Sequence, residues 1–448
     1  MVACQFKFSE AALVMQGILS GEDGEFVGAS TDTRRLEQGQ LFVALQGPSF
    51  DGHDFVTQAK AKGAAAVVVA HEVDLDLPQI IVADTRLALG RLAGAWRTHF
   101  DIPVIAVTGS NGKTTVKEMI AAIFAQSGAV HATRANLNNE IGVPLTLLGI
   151  SKEHVAAVIE EGASHAGDIA YLTQFVKPTV AVVTNAAGAH LQGFGRLEVV
   201  ARTKGEIYEF LAPGGIAIIN ADDPHAGMWR QLAADHVVIS FGLENAADVQ
   251  GQWAAGQPLQ MQTPAGSLIA DLPLEGRHNA MNALAAAAAA LAAGVDLSAI
   301  KAGLESMQAV AGRLQWKPGV KHSCILDDTY NANPASLDAA LDVLAACQGE
   351  RYLALGDMAE LGEQATACHE RAGRQARACG IQQLYAVGEH TRHTVAAFGE
   401  HAYHFPAQEQ LISRLQKDLH ENVTLLVKGS RSAHMENVVE AVVAGGLN

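Results

Sequence analysis

The chain has 448 residues, a formal net charge of −16 and a sequence pI near 5.5. Hydrophobic residues make up 49% of it and charged residues 17%, so it is globular, and its length predicts about three domains of roughly 150 residues. It has no run of lysine or arginine, which argues against nucleic acid as a partner and means that an anionic ligand would need local basic residues.

Cysteine usage and the amino terminus favour a cytoplasmic protein. The five cysteines are scattered and form no C-x-x-C motif, as expected in a reducing compartment. The first ten residues have no apolar core of signal-peptide length. The longest uncharged stretch, residues 279–295, is mostly alanine and too short to span a bilayer, so we expect no membrane insertion.

Residues 1–100 predict a mixed α/β domain. A strand is expected near Gln40 to Leu45, a helix near Phe55 to Lys62 and a buried strand over residues 65–69. Polar clusters at residues 30–35 and 50–54 interrupt this pattern. Each cluster is typical of a solvated loop, although a hydroxyl, an arginine and an Asp-Gly turn would also suit a nucleotide diphosphate.

Residues 101–312 predict a parallel, doubly wound sheet. Continuous apolar runs alternate with helical stretches, as they do when strands are buried on both faces. The predicted strands are Val104 to Val107, Val155 to Ile159, Val180 to Thr184 and Gly215 to Asn220. The region that follows, with Val237 to Ser240 and an alternating pattern near Leu259 to Leu272, predicts a β extension of this sheet.

The first of these strands leads into a candidate phosphate-binding loop, G-x-x-G-K-T-T, at residues 109–115. Gly109 and Gly112 would let backbone N–H groups point at phosphate oxygens, at the positive end of the following helix. Lys113 would reach the β and γ phosphates, and the Thr114 hydroxyl would bind Mg²⁺. The alternative is a glycine-rich turn of no special function, but the strand before and the helix after it favour phosphate binding.

Polar residues that follow neighbouring strands should share the edge of the sheet with this loop. Glu160 directly follows one strand and is a natural Mg²⁺ ligand, because Mg²⁺ prefers hard oxygen donors. His190 lies a short loop beyond the next strand. Taken alone, His190 would more often be a structural or solvent-facing histidine, and Lys204 would be an ordinary surface lysine.

Asn279 and Asn282 begin an alanine-rich helix. Three residues apart, they face the same side, where their amides could recognise a purine edge. Hydrogen bonding at the helix end explains them equally well.

From residue 313 the alternation restarts and predicts a second α/β domain. Strands are expected at Cys324 to Leu326, at Tyr352 to Leu355 and near Leu384 and Leu425, with a helix from Pro334. Polar loops follow the strands at residues 327–334, 356–360 and 428–431, so this domain could share a cleft with the central one.

Many separated motifs resemble, in order and spacing, the Mur ligases of peptidoglycan synthesis. They are Thr108 to Thr115, Glu160, Asn185 to His190, Lys204 to Glu206, His278, Asn279, Asn282, Gly312 to Leu314 and Asp328. Segments 138–144, 193–195, 327–334 and 355–361 are similar to those of the member that adds D-alanyl-D-alanine to UDP-N-acetylmuramoyl-tripeptide.

This resemblance implies an α/β chain of three domains. They are a mixed α/β domain that binds the uridine nucleotide (1–100), a central P-loop-type doubly wound ATPase domain (101–312) and a C-terminal Rossmann-like domain (313–448). It also implies ATP and Mg²⁺ as cofactors, an acyl-phosphate reaction and a monomeric enzyme.

The resemblance assigns roles residue by residue. ATP would be bound by Gly109, Ser110, Asn111, Gly112, Lys113, Thr114, Thr115, Asn279, Asn282, Arg313 and Asp328. The metal ligands would be Thr114, Glu160, His190 and a carbamylated Lys204, and the catalytic residues Lys113, Glu160, His190 and Lys204. The uridine nucleotide would contact Thr33, Arg34, Asp51, Gly52 and His53.

The chain departs from the family pattern at Glu161, where an apolar residue is usual, and at Ser164, where asparagine is usual. Strand alternation predicts that Glu161 points away from the metal site.

The competing functions are another amino-acid-adding Mur ligase or a folylpolyglutamate synthase, a P-loop ATPase or nucleotide-dependent switch, and a small-molecule kinase. The tyrosine-asparagine motif at residues 330–333 argues against the first of these.

Overall fold

The computed structural model describes residues 4–47, 49–188 and 191–445, which form three successive α/β units. Within these ranges no helix is both long and apolar enough to cross a membrane.

The N-terminal unit contains a small mixed sheet and a separate strand pair. Its strands are β1 (Gln5–Lys7), β2 (Ile18–Ser20), β3 (Glu25–Val27), β4 (Ala29–Ser30), β5 (Leu41–Val43), β6 (Ala66–Val69) and β7 (Gln79–Ile81). Its helices are α1 (Phe8–Met15), α2 (Val56–Ala61) and α3 (Thr85–Arg97). The sheet order is β2-β7-β6-β5-β4, with β2 antiparallel to β7 and the other pairs parallel, while β1 pairs with β3.

The central unit is built on a large sheet of order β16-β15-β14-β13-β12-β11-β8-β10-β9. The strands are β8 (Val104–Thr108), β9 (Ala129–Ala132), β10 (His154–Glu160), β11 (Val180–Val183), β12 (Ile216–Asn220), β13 (Val237–Gly242), β14 (Val249–Gln252), β15 (Leu259–Thr263) and β16 (Gly266–Ala270). The helices are α4 (Lys113–Phe124), α5 (Gly142–Leu148), α6 (Asp168–Val176), α7 (Leu191–Phe194), α8 (Leu197–Gly205), α9 (Ala226–Leu232), α10 (Arg277–Ala292) and α11 (Leu297–Glu305).

Burial explains why this sheet is parallel over most of its width. Every residue of β8 and β11 is buried, with successive side chains entering different cores on the two faces of the sheet. Strands β8 to β14 pair in parallel, whereas β15 and β16 add an antiparallel extension. The predicted doubly wound sheet with a β extension is therefore confirmed.

The C-terminal unit has the sheet order β17-β18-β22-β19-β20-β21, which is parallel except for β17. Its strands are β17 (Gln315–Pro318), β18 (Cys324–Asp328), β19 (Glu350–Gly356), β20 (Gln383–Val387), β21 (Ala402–Phe405) and β22 (Val423–Lys428). Its helices are α12 (Pro334–Ala345), α13 (Ala365–Ala378), α14 (Thr391–Phe398), α15 (Gln408–Asp418) and α16 (Glu436–Val442).

Candidate active site

A cleft of about 1270 Å³ lies between the central and C-terminal units. It lies beyond the carboxyl end of β8, where the order of the parallel strands reverses, which is the usual ligand position in such sheets. Of the predicted nucleotide and metal residues, its walls include Ser110, Asn111, Gly112, Lys113, Thr115, Glu160, Asn279, Asn282, Arg313 and Asp328. Residues from both units thus surround one space.

The phosphate loop between β8 and α4 requires glycine at two positions. Gly109 has φ +143° and Gly112 has φ +82°, a region that L side chains rarely adopt. A Cβ atom at Gly109 would lie 1.9 Å from the Thr184 hydroxyl, and one at Gly112 would lie 2.4 Å from Asn282 Oδ1. Close packing against neighbouring elements therefore gives this loop its shape.

Helix α4 presents an uncapped N-terminus to the cleft. No side chain caps the helix at Gly112, so the first backbone N–H groups and the helix dipole are available to an anion. Lys113 Nζ donates to the carbonyl oxygens of Gly109 at 2.8 Å and Ser110 at 3.3 Å. Desolvation lowers the pKa of Lys113, while the nearby Glu160 opposes that shift.

Glu160 and Thr114 bring two hard oxygen donors together beside the loop. Thr114 Oγ1 donates to Glu160 Oε2 at 2.9 Å, and Asn138 Nδ2 donates to Glu160 Oε1 at 2.8 Å. A buried carboxylate next to a hydroxyl on a phosphate loop suits Mg²⁺, which takes one or two carboxylates plus substrate phosphates. Among the residues described, no group of three histidine, cysteine or acidic side chains forms a metal cluster.

The remaining predicted metal ligands are Lys204 and His190. Lys204 lies on α8 and is 2% exposed, and burial is the main cause that lowers its pKa to about 7, assisted by the charge of Lys113. Its Nζ stands 5.8 Å from the centre of the Phe194 ring. His190 lies outside the described residues.

Glu161 points away from Glu160 and Thr114, as strand alternation predicts, although its charge and that of Lys204 influence each other's pKa. Its side chain is completely buried against α6, where Oε2 lies 2.6 Å from the Thr173 hydroxyl. Desolvation raises the pKa of Glu161 to about 8. Its Oε1 has no hydrogen-bond partner, which disfavours the ionised form of this buried carboxyl group.

Asn282 reaches the phosphate loop from α10, and Asn279 of the same helix bonds Asn282. Asn282 Nδ2 donates to Asn279 Oδ1 at 3.2 Å, and its Oδ1 lies beside Gly112. Asn279 Nδ2 also donates to the Glu275 carbonyl at 2.8 Å. Part of its role is therefore hydrogen bonding at the start of the helix, the alternative considered from the sequence. The pair lines the cleft, and its contact with adenine remains a prediction.

The C-terminal unit contributes Arg313 and Asp328. Arg313 Nη2 donates to Thr114 Oγ1 at 2.9 Å, and its guanidinium lies 4.2 Å from the centre of the Tyr330 ring. Asp328 accepts hydrogen bonds from the buried Lys428 ammonium and from the Leu314 backbone. Arg313 is thus one point at which the C-terminal unit touches the phosphate loop.

The predicted uridine-binding residues lie in the N-terminal unit, outside the lining of this cleft. Thr33 donates to Gln58 at 2.9 Å, while the Arg34 side chain is 86% exposed and pairs with Asp32. His53 bonds Asp51 through Nδ1 at 2.6 Å and accepts the Ala70 N–H at Nε2.

Gly52 packs so closely that a Cβ there would lie 2.6 Å from the Leu45 backbone. Asp51, Gly52 and His53 therefore have structural roles in this loop, and their contact with nucleotide stays a prediction.

Some cleft residues received no role from the sequence. They are Asn138, Asn185, Asn333 and Lys428. Three of them, Asn185, Asn333 and Lys428, lie at or just beyond the carboxyl end of a parallel strand, so strand-end position was the available signal. Asn138 precedes α5 and is brought to Glu160 by tertiary packing, which local sequence cannot indicate.

Three family profiles match the chain. They are the Mur ligase family catalytic domain over residues 25–97, the Mur ligase middle domain over 107–290 and the Mur ligase glutamate ligase domain over 312–431.

Individual relatives match over nearly the whole chain. The UDP-N-acetylmuramoyl-tripeptide--D-alanyl-D-alanine ligase of Escherichia coli (strain K12) is 47% identical over 98% of both proteins. The Bacillus subtilis (strain 168) protein of the same name is 32% identical over 94% of both.

Solved structures agree. MurF from Acinetobacter baumannii has a TM-score of 0.92 at 37% identity, covering 98% of this chain and 99% of that one. MurF ligase from Thermotoga maritima, in complex with ADP, has a TM-score of 0.83 at 28% identity, covering 92% and 96%. These matches confirm the predicted fold class.

Proposed function

This chain belongs to the Mur ligase family, and on that premise we propose that it joins D-alanyl-D-alanine to the terminal carboxylate of UDP-N-acetylmuramoyl-tripeptide, converting ATP to ADP and phosphate. The main observation that supports an ATP-dependent reaction is the hydrogen bond from Arg313 of the C-terminal unit to Thr114 of the phosphate loop. Residues from two units thereby converge where a γ-phosphate would lie. Similarity over 98% of both chains to the Escherichia coli ligase supports the choice of substrates.

The reaction needs activation because oxide is a poor leaving group from a carboxylate. A terminal carboxylate oxygen of the tripeptide attacks the γ-phosphorus, and the P–O bond to ADP breaks as the acyl phosphate forms. The D-alanyl-D-alanine nitrogen then attacks the acyl carbon, the C–O bond to phosphate breaks, and the nitrogen loses a proton. Lys113 and the N–H groups of α4 stabilise the charge that gathers on the γ-phosphoryl oxygens.

Glu160 and Thr114 are proposed to hold Mg²⁺, which when bound would neutralise phosphate charge. With a pKa of about 7, a large share of Lys204 is a neutral amine at pH 7. Such an amine can add CO₂ to form a carbamate, whose carboxylate we propose helps to position the metal. We propose His190 as a further ligand of Mg²⁺.

The exposed Arg34 guanidinium is suited to the uridine diphosphate, and Thr33, Asp51, Gly52 and His53 are proposed to shape that site. We propose a monomeric enzyme in the cytoplasm, where ATP is available. Closure of the C-terminal unit would keep water from the acyl phosphate.

The test is phosphate release from ATP and Mg²⁺ with the tripeptide nucleotide alone, with D-alanyl-D-alanine alone, and with both. We expect full release with both, together with a nucleotide product heavier by one dipeptide residue. Release with neither substrate would indicate an ATPase. Turnover with a different amino acid alone would identify another member of the family.

A further inference from the structure

We propose that Asn333 is a positioning residue that holds the C-terminal unit against the phosphate loop. Asn333 Nδ2 donates to Asn111 Oδ1 at 2.8 Å, across 222 residues of sequence. We call this hydrogen bond the Asn111–Asn333 latch. The inference rests on the proposed function for its kinetic consequence only, since the bond itself is a contact between two units.

The phosphate-loop end of the latch is rigidly held. The Asn111 N–H donates to Asn185 Oδ1 at 3.0 Å. Its carbonyl accepts from Thr184 Oγ1 at 2.7 Å and from Asn185 Nδ2 at 3.1 Å. Because the end of β11 satisfies both backbone groups, the Asn111 side chain is free to reach across the cleft.

Ser110, the residue before Asn111, gives this end of the latch a second anchor. The hydroxyl of Ser110 donates to the Ala187 carbonyl at 3.1 Å and lies 2.9 Å from the Ala187 N–H, which donates to it. Two neighbouring residues of the phosphate loop, Ser110 and Asn111, are therefore both tied to residues 184–187.

The other end of the latch is fixed by helix α12. Asn333 is 8% exposed, and its Oδ1 accepts the Ser336 N–H at 2.9 Å as the helix N-cap. Since a backbone N–H can only donate, the amide oxygen must face α12 and the amide nitrogen must face Asn111. One side chain thus performs two separable tasks, capping its own helix and binding the opposite unit.

Closing the latch favours the arrangement in which Arg313 of the C-terminal unit bonds Thr114 of the central unit. A neutral hydrogen bond contributes modestly, so its loss should reduce the ratio of closed to open molecules by about three- to tenfold. The proposed ligase would then spend less time with its phosphate-binding groups assembled.

Serine separates the two tasks, because it caps helices well and is too short to offer a donor to Asn111. For Asn333→Ser we expect an unchanged melting temperature. We also expect a larger radius of gyration in solution scattering without nucleotide and a kcat lower by about three- to tenfold. Ser336→Ala is the matched control, because it should lower the melting temperature while leaving the radius of gyration unchanged.

A double-mutant cycle shows whether the effect of Asn333→Ser comes from losing the Asn111–Asn333 latch or from a weaker N-cap of α12. In an Asn111→Ala background, Asn333→Ser should cause no further increase in the radius of gyration. An equal radius for Asn333→Ser and wild type, or full additivity with Asn111→Ala, would overturn the proposal. If scattering changes as expected but the chain ligates no D-alanyl-D-alanine, the proposed function fails and the latch stands.

Discussion

We propose that the charge of Lys113 serves the nucleotide rather than the fold. Its Nζ bonds carbonyl oxygens of its own loop, and helix α4 continues for three turns beyond it. We expect Lys113→Ala to fold normally and to lose at least roughly 10²–10³-fold in turnover, because transition-state charge on the phosphoryl group loses its cation. Phosphate release together with circular dichroism measures both effects.

Lys301→Ala is the control for that prediction, since Lys301 is a half-exposed lysine of the same unit that pairs with Glu305. It should keep full turnover. Full activity in Lys113→Ala would contradict the role assigned to the phosphate loop.

Glu161 makes the stability of the central unit depend on pH. The Thr173 hydroxyl has one proton, yet it lies 2.6 Å from Glu161 Oε2 and 2.8 Å from the Ile169 carbonyl. Both contacts are satisfied when Thr173 donates to Ile169 and a protonated Glu161 donates to Thr173. This geometry agrees with a pKa raised by burial to about 8.

Because the folded-state pKa of Glu161 exceeds its ordinary value of 4.5, the folded chain binds the extra proton between the two values. Stability is fully present below pH 4.5 and falls as pH rises toward 8, by up to roughly 1.4 kcal/mol per pH unit. We expect Glu161→Gln to flatten this part of the melting-temperature profile. The exposed Glu198→Gln should leave the profile as it is, and an unchanged profile in Glu161→Gln would show that Glu161 is ionised.

At the scale of elements, the strands that could be predicted are those buried on both faces, such as β8 and β11, because a continuous apolar run needs no partner to be recognised. Short strands are harder to predict: β1 alternates exposed and buried residues over three positions, and β17 alternates half-buried and exposed residues over four, too few to distinguish from a loop.

The site residues also differ in whether they could be predicted from the sequence. The phosphate loop and Glu160 follow from local pattern, whereas Asn138 and Asn333 act through contacts 22 and 222 residues away, respectively. Such contacts are set by how β10, α4 and α12 are packed, which local spacing does not encode.

Helix α4, which begins at the phosphate loop, is positioned by a close contact with α11. A Cβ at Gly303 would lie 2.4 Å from the Ile123 Cα, so the two helix backbones nearly touch there. Gly303→Ala should force the helices apart and destabilise the chain by about 1–3 kcal/mol, as overpacked cores do. Equilibrium denaturation measures the loss.

Gly227→Ala is the matched substitution, because Gly227 is also inside a helix but a Cβ added there would have no atom within 4 Å. There the gain in helix propensity should stabilise by up to about 1 kcal/mol. Equal effects at Gly303 and Gly227 would mean that helix propensity, and not the α4–α11 contact, decides the result.

At the scale of the whole molecule, the two junctions between units differ in kind. The N-terminal and central units share one hydrophobic core, in which Phe175 of α6 packs so tightly on α3 that a Cβ at Gly90 would lie 2.5 Å from its ring. Trp96 also donates to the Ile150 carbonyl at 2.9 Å.

The C-terminal unit has cores of its own, and it meets the central unit through polar contacts around the cleft. Domain movement should therefore occur at the second junction.

This difference predicts how the chain divides into folding units. Fragments 1–312 and 313–448 should each fold, because each keeps its cores complete. Fragment 101–312 should collapse or aggregate, because removing α3 exposes Phe175 and the rest of the shared core. Cooperative thermal unfolding and dye binding to exposed apolar surface distinguish these outcomes. A cooperatively folded 101–312 fragment would mean that the first junction is an interface between independent domains, and nucleotide-driven closure could then involve both junctions rather than the latch side alone.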